Sequence, residues 1–210
     1  MYLYLIRHGQ TYGNAERIVQ GWTDVDLTEL GRAQAARAGM LVKGIEFERI
    51  FCSDLQRTRT TAAIAFGENA ELTFDERLRE LNNTVLAGKK LSELTEIYGD
   101  KVTRASRSLD YSYFGGESAL QLMARAADFL TELGKLAEDK SYKDKRFAAV
   151  THGGVIHAML SYILENRLDS RNLTISNGSV TVLKFSAGKW TVRLVNYVGA
   201  LVETDEKPIY

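Results

Sequence analysis

Scarcities set the first limits on this chain. Its 210 residues include one cysteine, Cys52, and one proline, Pro208. A lone thiol cannot form an intrachain bridge, so the fold is expected to stand without disulfides and to suit a reducing, cytoplasmic setting. A domain of this length buries roughly 70% of the surface its unfolded chain exposes, which is enough without staples. An excess of charge of either sign is missing too: 27 basic residues face 27 acidic ones, for a formal net charge of +0. That balance leaves no electrostatic footprint for a nucleic-acid partner. Long hydrophobic runs are also lacking. The apolar start, Met1 to Ile6, meets Arg7 at once. It is too short for a signal-peptide core or a membrane span, and no membrane partner is expected. No repeat, low-complexity tract or Pro/Ser/Gly-rich linker interrupts the chain, so one domain over 1–210 is expected.

What the chain does contain is an alternation of strand and helix patterns. Residues 2 to 7 read as a buried strand that ends in Arg7-His8-Gly9. Thr28 is a plausible N-cap for an amphipathic helix to about Val42, with Leu30, Ala33, Ala36, Ala38 and Leu41 as its apolar positions. Phe47 to Cys52 reads as a strand, and Ser53 or Asp54 is expected to cap a helix to about Phe66. A possible strand and a turn occupy 71–81, and a short helix 91–98. Gly115 to Ser118 is loop. A long helix follows to about Glu138, with Leu120, Met123, Ala127 and Leu130 on one face. Arg146 to Val150 is a buried strand, with Thr151-His152-Gly153-Gly154 as its tight exit into a helix to about Leu164. Residues 179–185 and 190–198 alternate as a hairpin. The order predicts an α/β fold: three layers, α/β/α, with a mostly parallel sheet covered by helices on both faces. The hairpin could expose an edge to a second copy, giving a homodimer, or cap the sheet within one chain.

In such sheets ligands bind beyond the carboxyl ends of the strands. Three chemically rich stretches fall there: Arg7-His8-Gly9, Ser53 to Arg57, and Thr151-His152-Gly153. A phosphoryl-transfer pocket needs cations for charged oxygens, a nucleophile, and an acid for the leaving oxygen. Arginine offers a planar, permanently charged fork. A neutral imidazole keeps a lone pair near pH 7. Glycines let backbone approach phosphate closely, and helix N-termini present free N–H groups.

Read together, RHGQTYGN at 7–14, QGWTDVDLTELG at 20–31, SDLQRTRTTA at 53–62, LRE at 78–80 and THGG at 151–154 resemble the histidine phosphatase superfamily, the phosphoglycerate-mutase-like proteins. The resemblance covers nearly the whole chain. It implies the phosphoglycerate-mutase-like fold, with a helical and loop cap at roughly 82–117. It implies that His8 is the nucleophile that becomes phosphohistidine, and that Arg7 and Arg57 bind the phosphoryl oxygens. His152 would donate a hydrogen bond to the same group. Glu80 would protonate the leaving group and then activate water. Asn14, Gln20, Gly21 and Gly153 would line the phosphate and substrate rim. No metal and no cofactor are implied: the remaining histidine, His157, makes no cluster with ligand spacing.

Simpler roles compete at some of these positions. Arg57 and Arg59, two residues apart on a helix, point about 200° away from each other, so only one can face the pocket. The motif selects Arg57. Glu80 sits among Glu76, Arg77 and Arg79, which alone would read as a solvated charge cluster. His157 reads as packing, and Cys52 as core. One stretch departs from the family pattern. Where many members follow the acidic residue with an aromatic-glycine and then Trp-Glu-Gly, this chain has Leu81-Asn82-Asn83-Thr84-Val85-Leu86-Ala87-Gly88. About 35 residues separate Glu80 from Gly115, short for the cover a mutase uses to exclude water. The expected function is therefore a metal-independent phosphomonoester hydrolase acting on a small phosphorylated metabolite. The alternatives are a cofactor-dependent phosphoglycerate mutase and a non-catalytic phospho-ligand binder.

Overall fold

In the computed structural model, residues 1–165 and 173–199 are described; 166–172, 200–210 and thus Pro208 lie outside that set. In chain order the elements are β1 (Tyr2–Arg7), α1 (Tyr12–Ala15), α2 (Glu29–Leu41), β2 (Arg49–Cys52), α3 (Gln56–Phe66), β3 (Leu72–Phe74), α4 (Leu91–Tyr98), α5 (Asp100–Ser108), α6 (Ala119–Leu136), β4 (Arg146–Thr151), α7 (Gly153–Ile163), β5 (Val180–Ser186) and β6 (Lys189–Tyr197).

One six-stranded sheet runs in the order β3-β2-β4-β1-β5-β6. The pairs β3-β2, β2-β4 and β4-β1 are parallel, while β5 runs antiparallel to β1 and β6 antiparallel to β5. The strands with hydrophobic residues at nearly every position are the central ones, because helices cover both of their faces. β1 sends Leu3 and Leu5 into a core shared with α6 and α7, and Ile6 into one shared with α2 and α3. This is the three-layer α/β/α arrangement. Register matters for the site: Arg7 lies opposite Thr151 and Cys52 opposite Val150. The exits of β1, β2 and β4 are therefore side by side at one end of the sheet.

Several local expectations are corrected. On α2 the buried residues are Gly31, Gln34, Ala35 and Ala38, whereas Leu30 is 53% exposed and Ala33 and Ala36 face solvent. The helix docks through its glycine: a Cβ on Gly31 would lie 1.9 Å from the Gln10 carbonyl oxygen. That close approach, rather than the count of apolar residues, sets which face is inward. On α6 the inward residues are Leu122, Ala126, Phe129, Leu130 and Leu133, and Leu120 is 71% exposed. The N-cap of α3 is Leu55, with no side-chain cap bond. Ser53 and Asp54 are engaged elsewhere, by His152 and Arg79. Helix α5 has no counterpart in the sequence reading. Its nine residues bury only Val102, Ala105 and Ser106, too little apolar pattern to announce a helix.

Candidate active site

The site assembles where three strands end. β1 carries Arg7 and passes directly into His8, whose N–H donates to the Thr151 carbonyl at 3.0 Å. From the other side the Asn177 side-chain amide donates to the His8 carbonyl at 3.0 Å, and Gly9 N–H donates to Thr61 Oγ1 at 3.1 Å. The His8 backbone is thus fixed on three sides. Its ring is fixed as well. Nδ1 lies 2.7 Å from the Gly9 carbonyl oxygen. A carbonyl only accepts, so Nδ1 carries the proton and Nε2 keeps the lone pair. Burial first, then the Arg57 and Arg7 charges, holds the His8 pKa well below the usual histidine value. At neutral pH the ring is uncharged, and the lone pair of Nε2 is free to accept a proton or attack an electrophile.

Arg57 is 1% exposed, brought in by the first turn of α3. Its Nη1 donates to the Thr23 carbonyl at 3.0 Å, and Nη2 to Gly21 at 2.7 Å. Its Nε donates to His152 Nδ1 at 3.2 Å. With Nδ1 accepting, the neutral His152 ring carries its proton on Nε2, which donates to Ser53 Oγ at 2.9 Å. Burial, then the Arg57 charge, also keeps the His152 pKa well below its usual value. The two imidazoles lie 5.1 Å apart between ring centroids. Both nitrogens of His152 are occupied by protein groups here, so a bond from it to a bound phosphoryl group requires displacement of Ser53. Arg57 itself is pushed down by burial to about 10, which leaves it charged at neutral pH.

Arg7 donates from one terminal nitrogen to the Ile175 carbonyl, and its buried Nε has no hydrogen-bond partner among the described residues. Gly153 lies against this guanidinium: a Cβ there would sit 3.4 Å from Arg7 Nε. Gly154 is under a stricter limit. Its Cβ would lie 2.3 Å from Glu80 Oε1, so the Thr-His-Gly-Gly turn needs its last glycine to make room for the carboxylate. Glu80 accepts from Leu81 N–H at 2.8 Å and from Gly154 N–H at 3.4 Å.

One cleft is lined by Arg7, His8, Arg57, Glu80 and Gly153, with Asn14, Gln20 and Gly21 at its edge. His152 sits behind it, fully buried. Asn14 and Gln20 also serve the local fold, since Thr11 Oγ1 lies 3.0 Å from Asn14 Oδ1 and 2.8 Å from Gln20 Oε1. Farther out the lining turns apolar with Ile18, Val19, Leu81, Leu91, Leu109 and Tyr111, and Arg17 adds a charge. Residues 82–117 supply Asn83, Leu91, Ser106, Leu109 and Tyr111 to this outer part. Among the described residues no group of three or more His, Cys, Asp or Glu side chains could hold a metal ion. His157 is buried in α7 and pushed down to about 4. Cys52 is held up at about 12 by burial, an inert thiol.

Sequence reasoning missed Ser53 as the partner of His152, Asn177 as a brace for His8, and Trp22, whose indole N–H donates to the Glu80 carbonyl at 2.6 Å. Ser53 stood inside a recognised block and was read as a cap. Asn177 carries no local signal, because it reaches His8 across 169 positions.

The exits of β1, β2 and β4 and the segment that carries Glu80 bring together two neutral imidazoles, two arginines and a carboxylate, the kinds of group that phosphoryl transfer needs. The histidine phosphatase superfamily (branch 1) profile matches residues 3–198, and the chain belongs to that family. It is similar to the probable phosphoglycerate mutase GpmB of Salmonella paratyphi A, with 34% identity over 207 residues, 95% of this chain and 94% of the relative. Among solved structures it is similar to Bacillus stearothermophilus YhfR, at TM-score 0.83 and 28% identity, covering 93% of this chain and 96% of that one. A mycobacterial glucosyl-3-phosphoglycerate phosphatase aligns at TM-score 0.81 and 28% identity, covering 93% and 98%. No helix among the described residues is long and apolar enough to cross a membrane.

Proposed function

We propose that this protein is a metal-independent phosphomonoester hydrolase that works through a phosphohistidine on His8. The observation that carries the reading is the state of the His8 ring: neutral, with its proton pinned on Nδ1 by Gly9, beside Arg7 and Arg57. The substrate would enter with its phosphoryl group on the two arginines and the N-terminus of α7. His8 Nε2 attacks phosphorus as the ester P–O bond breaks, and Glu80 delivers a proton to the departing alkoxide. Water then attacks the phosphohistidine while the Glu80 carboxylate accepts its proton. The P–N bond breaks, and His8 and protonated Glu80 are restored with inorganic phosphate as product. His152 would support the negative charge after exchanging Ser53 for a phosphoryl oxygen. The remaining partner is a small phosphorylated metabolite, and residues 82–117 act as the cap over its alcohol end within one domain.

A second reading, cofactor-dependent phosphoglycerate mutase, is favoured by the likeness to GpmB. The outer wall favours the phosphatase: it is largely apolar, whereas a mutase must hold a triose acid by its carboxylate and keep water out. Incubation with 3-phosphoglycerate separates the two, since a mutase yields the 2-isomer and a phosphatase yields inorganic phosphate. EDTA should leave turnover unchanged. An enzyme that turns over no member of a broad phosphomonoester panel, and forms no acid-labile phosphoenzyme, would instead be the phospho-ligand binder.

A further inference from the structure

The carboxylate of Glu80 rides on a segment without regular structure, residues 79–83, yet its backbone is gripped from one side by a single guanidinium. Arg125 projects from α6 and spends all five of its N–H groups there. Nε donates to Glu117 Oε1 at 2.7 Å and Nη2 to Glu117 Oε2 at 2.9 Å. Nη1 donates to the carbonyls of Arg77, at 2.6 Å, and Arg79. Nη2 donates to the Glu80 carbonyl at 3.0 Å. Glu117 completes the bracket: its Oε2 accepts from Asn82 N–H at 3.1 Å, and its own N–H donates to the Asn82 carbonyl at 2.8 Å. The two side chains are only 16% and 12% exposed, so the pair is largely withdrawn from solvent screening. Neither residue lines the cleft.

We propose that Arg125 and Glu117 form a positioning unit that holds Glu80 at the distance from which it can protonate the leaving oxygen. This rests on the reading of Glu80 as the general acid. Lysine at 125 would offer three donors on one nitrogen and could not span three carbonyls and a carboxylate. Glutamine at 117 would replace one acceptor oxygen with a donor facing Arg125 or Asn82 N–H. Each change lets the 79–82 backbone swing, and a displacement of about 1 Å costs on the order of 10²-fold in a positioned group's contribution.

The test is the leaving-group dependence of kcat/KM, which reports the step that forms the phosphoenzyme. Wild type, Glu80→Gln, Arg125→Lys and Glu117→Gln are assayed on p-nitrophenyl, phenyl and simple alkyl phosphates. An acid matters little when the departing phenol is already acidic, and much when an alkoxide must leave. Glu80→Gln should therefore lose about 10²-fold or more on alkyl phosphates and far less on p-nitrophenyl phosphate. Arg125→Lys and Glu117→Gln should show the same tilt, about tenfold or more on the alkyl esters and under about threefold on the nitrophenyl ester. The tilt is a ratio between substrates, so partial unfolding of a variant does not mimic it. Uniform loss across the series in the two bracket variants, or no loss, overturns the positioning role while Glu80→Gln still tilts. If Glu80→Gln itself shows no tilt, the general-acid reading fails and the positioning proposal with it.

Discussion

The two ends of the cleft are built differently. At the phosphate end, His8, Arg57 and His152 are at most 2% exposed, and each is held by the exits of adjacent parallel strands and by backbone partners on several sides. At the alcohol end, residues 82–117 form short helices and turns. They expose Val85, Ile97 and Tyr113 at 63%, 65% and 67% and offer the cleft Leu91 and Leu109 together with Asn83, Ser106 and Tyr111, the last two joined by a 2.8 Å hydroxyl hydrogen bond. In the proposed function, chemistry shared by every phosphomonoester falls to the rigid half, and the part that must fit one alcohol falls to the half that the sheet does not constrain. Rigid scaffold with variable cover is how one fold can serve many substrates.

Substitutions should show that division, beginning with the largest effect. His8→Ala removes the proposed nucleophile and should lower kcat by about 10⁴-fold or more on every ester, with no phosphoenzyme trapped from labelled substrate. Retained turnover would place the nucleophile elsewhere. Gly154→Ala forces a methyl toward the Glu80 carboxylate, 2.3 Å from Oε1. It should cost about 10²-fold in kcat with little change in KM, as read from full saturation curves on an alkyl phosphate. Ser53→Ala leaves the His152 Nε2–H buried without its acceptor and should cost roughly 1–3 kcal/mol of stability, measured by urea unfolding. On the other half, Leu109→Ala should change kcat/KM for bulky apolar esters by about tenfold, while inhibition by inorganic phosphate stays the same. A change in phosphate inhibition there would erase the distinction between the halves.

Acid should also act on the rigid half first. His8, His152 and His157 all have folded pKa values below the unfolded value, His157 at about 4. Below about pH 6.5 the unfolded chain binds protons that the folded chain refuses. Their contribution to stability is therefore whole above that pH. It is lost as pH falls toward the folded values, at up to about 1.4 kcal/mol per unit for each histidine. Urea midpoints at pH 7, 6 and 5 should decline in step, and His157→Gln should flatten the slope. Turnover should persist to well below pH 6.5, because His8 keeps its lone pair there.

Legibility followed the same boundary. Arg7, His8, Arg57 and His152 could be picked out as candidates because each belongs to a short block at a strand exit, and Glu80 because it belongs to the LRE block; strands of three to nine residues announce themselves by composition. The inward faces of α2 and α6 were misread. On α2 Ala38 faces inward as expected, but Gly31, Gln34 and Ala35 join it in place of Leu30, Ala33 and Ala36, because docking distance, not hydrophobicity alone, sets helix rotation. Helix α5 was too polar to recognise.

By itself the sequence determined the alternation of strands and helices, the family blocks, and the residue types of the proposed phosphoryl-transfer site, since those depend on composition and spacing within a few residues. Only the tertiary structure decided which ring nitrogen of His8 carries the proton, that Ser53 and Arg57 hold His152 between them, and that Arg125 reaches back 45 positions to the carbonyl of Glu80. Hydrogen-bond partners distant in the chain meet through sheet register and helix packing, and a linear pattern holds no record of that meeting.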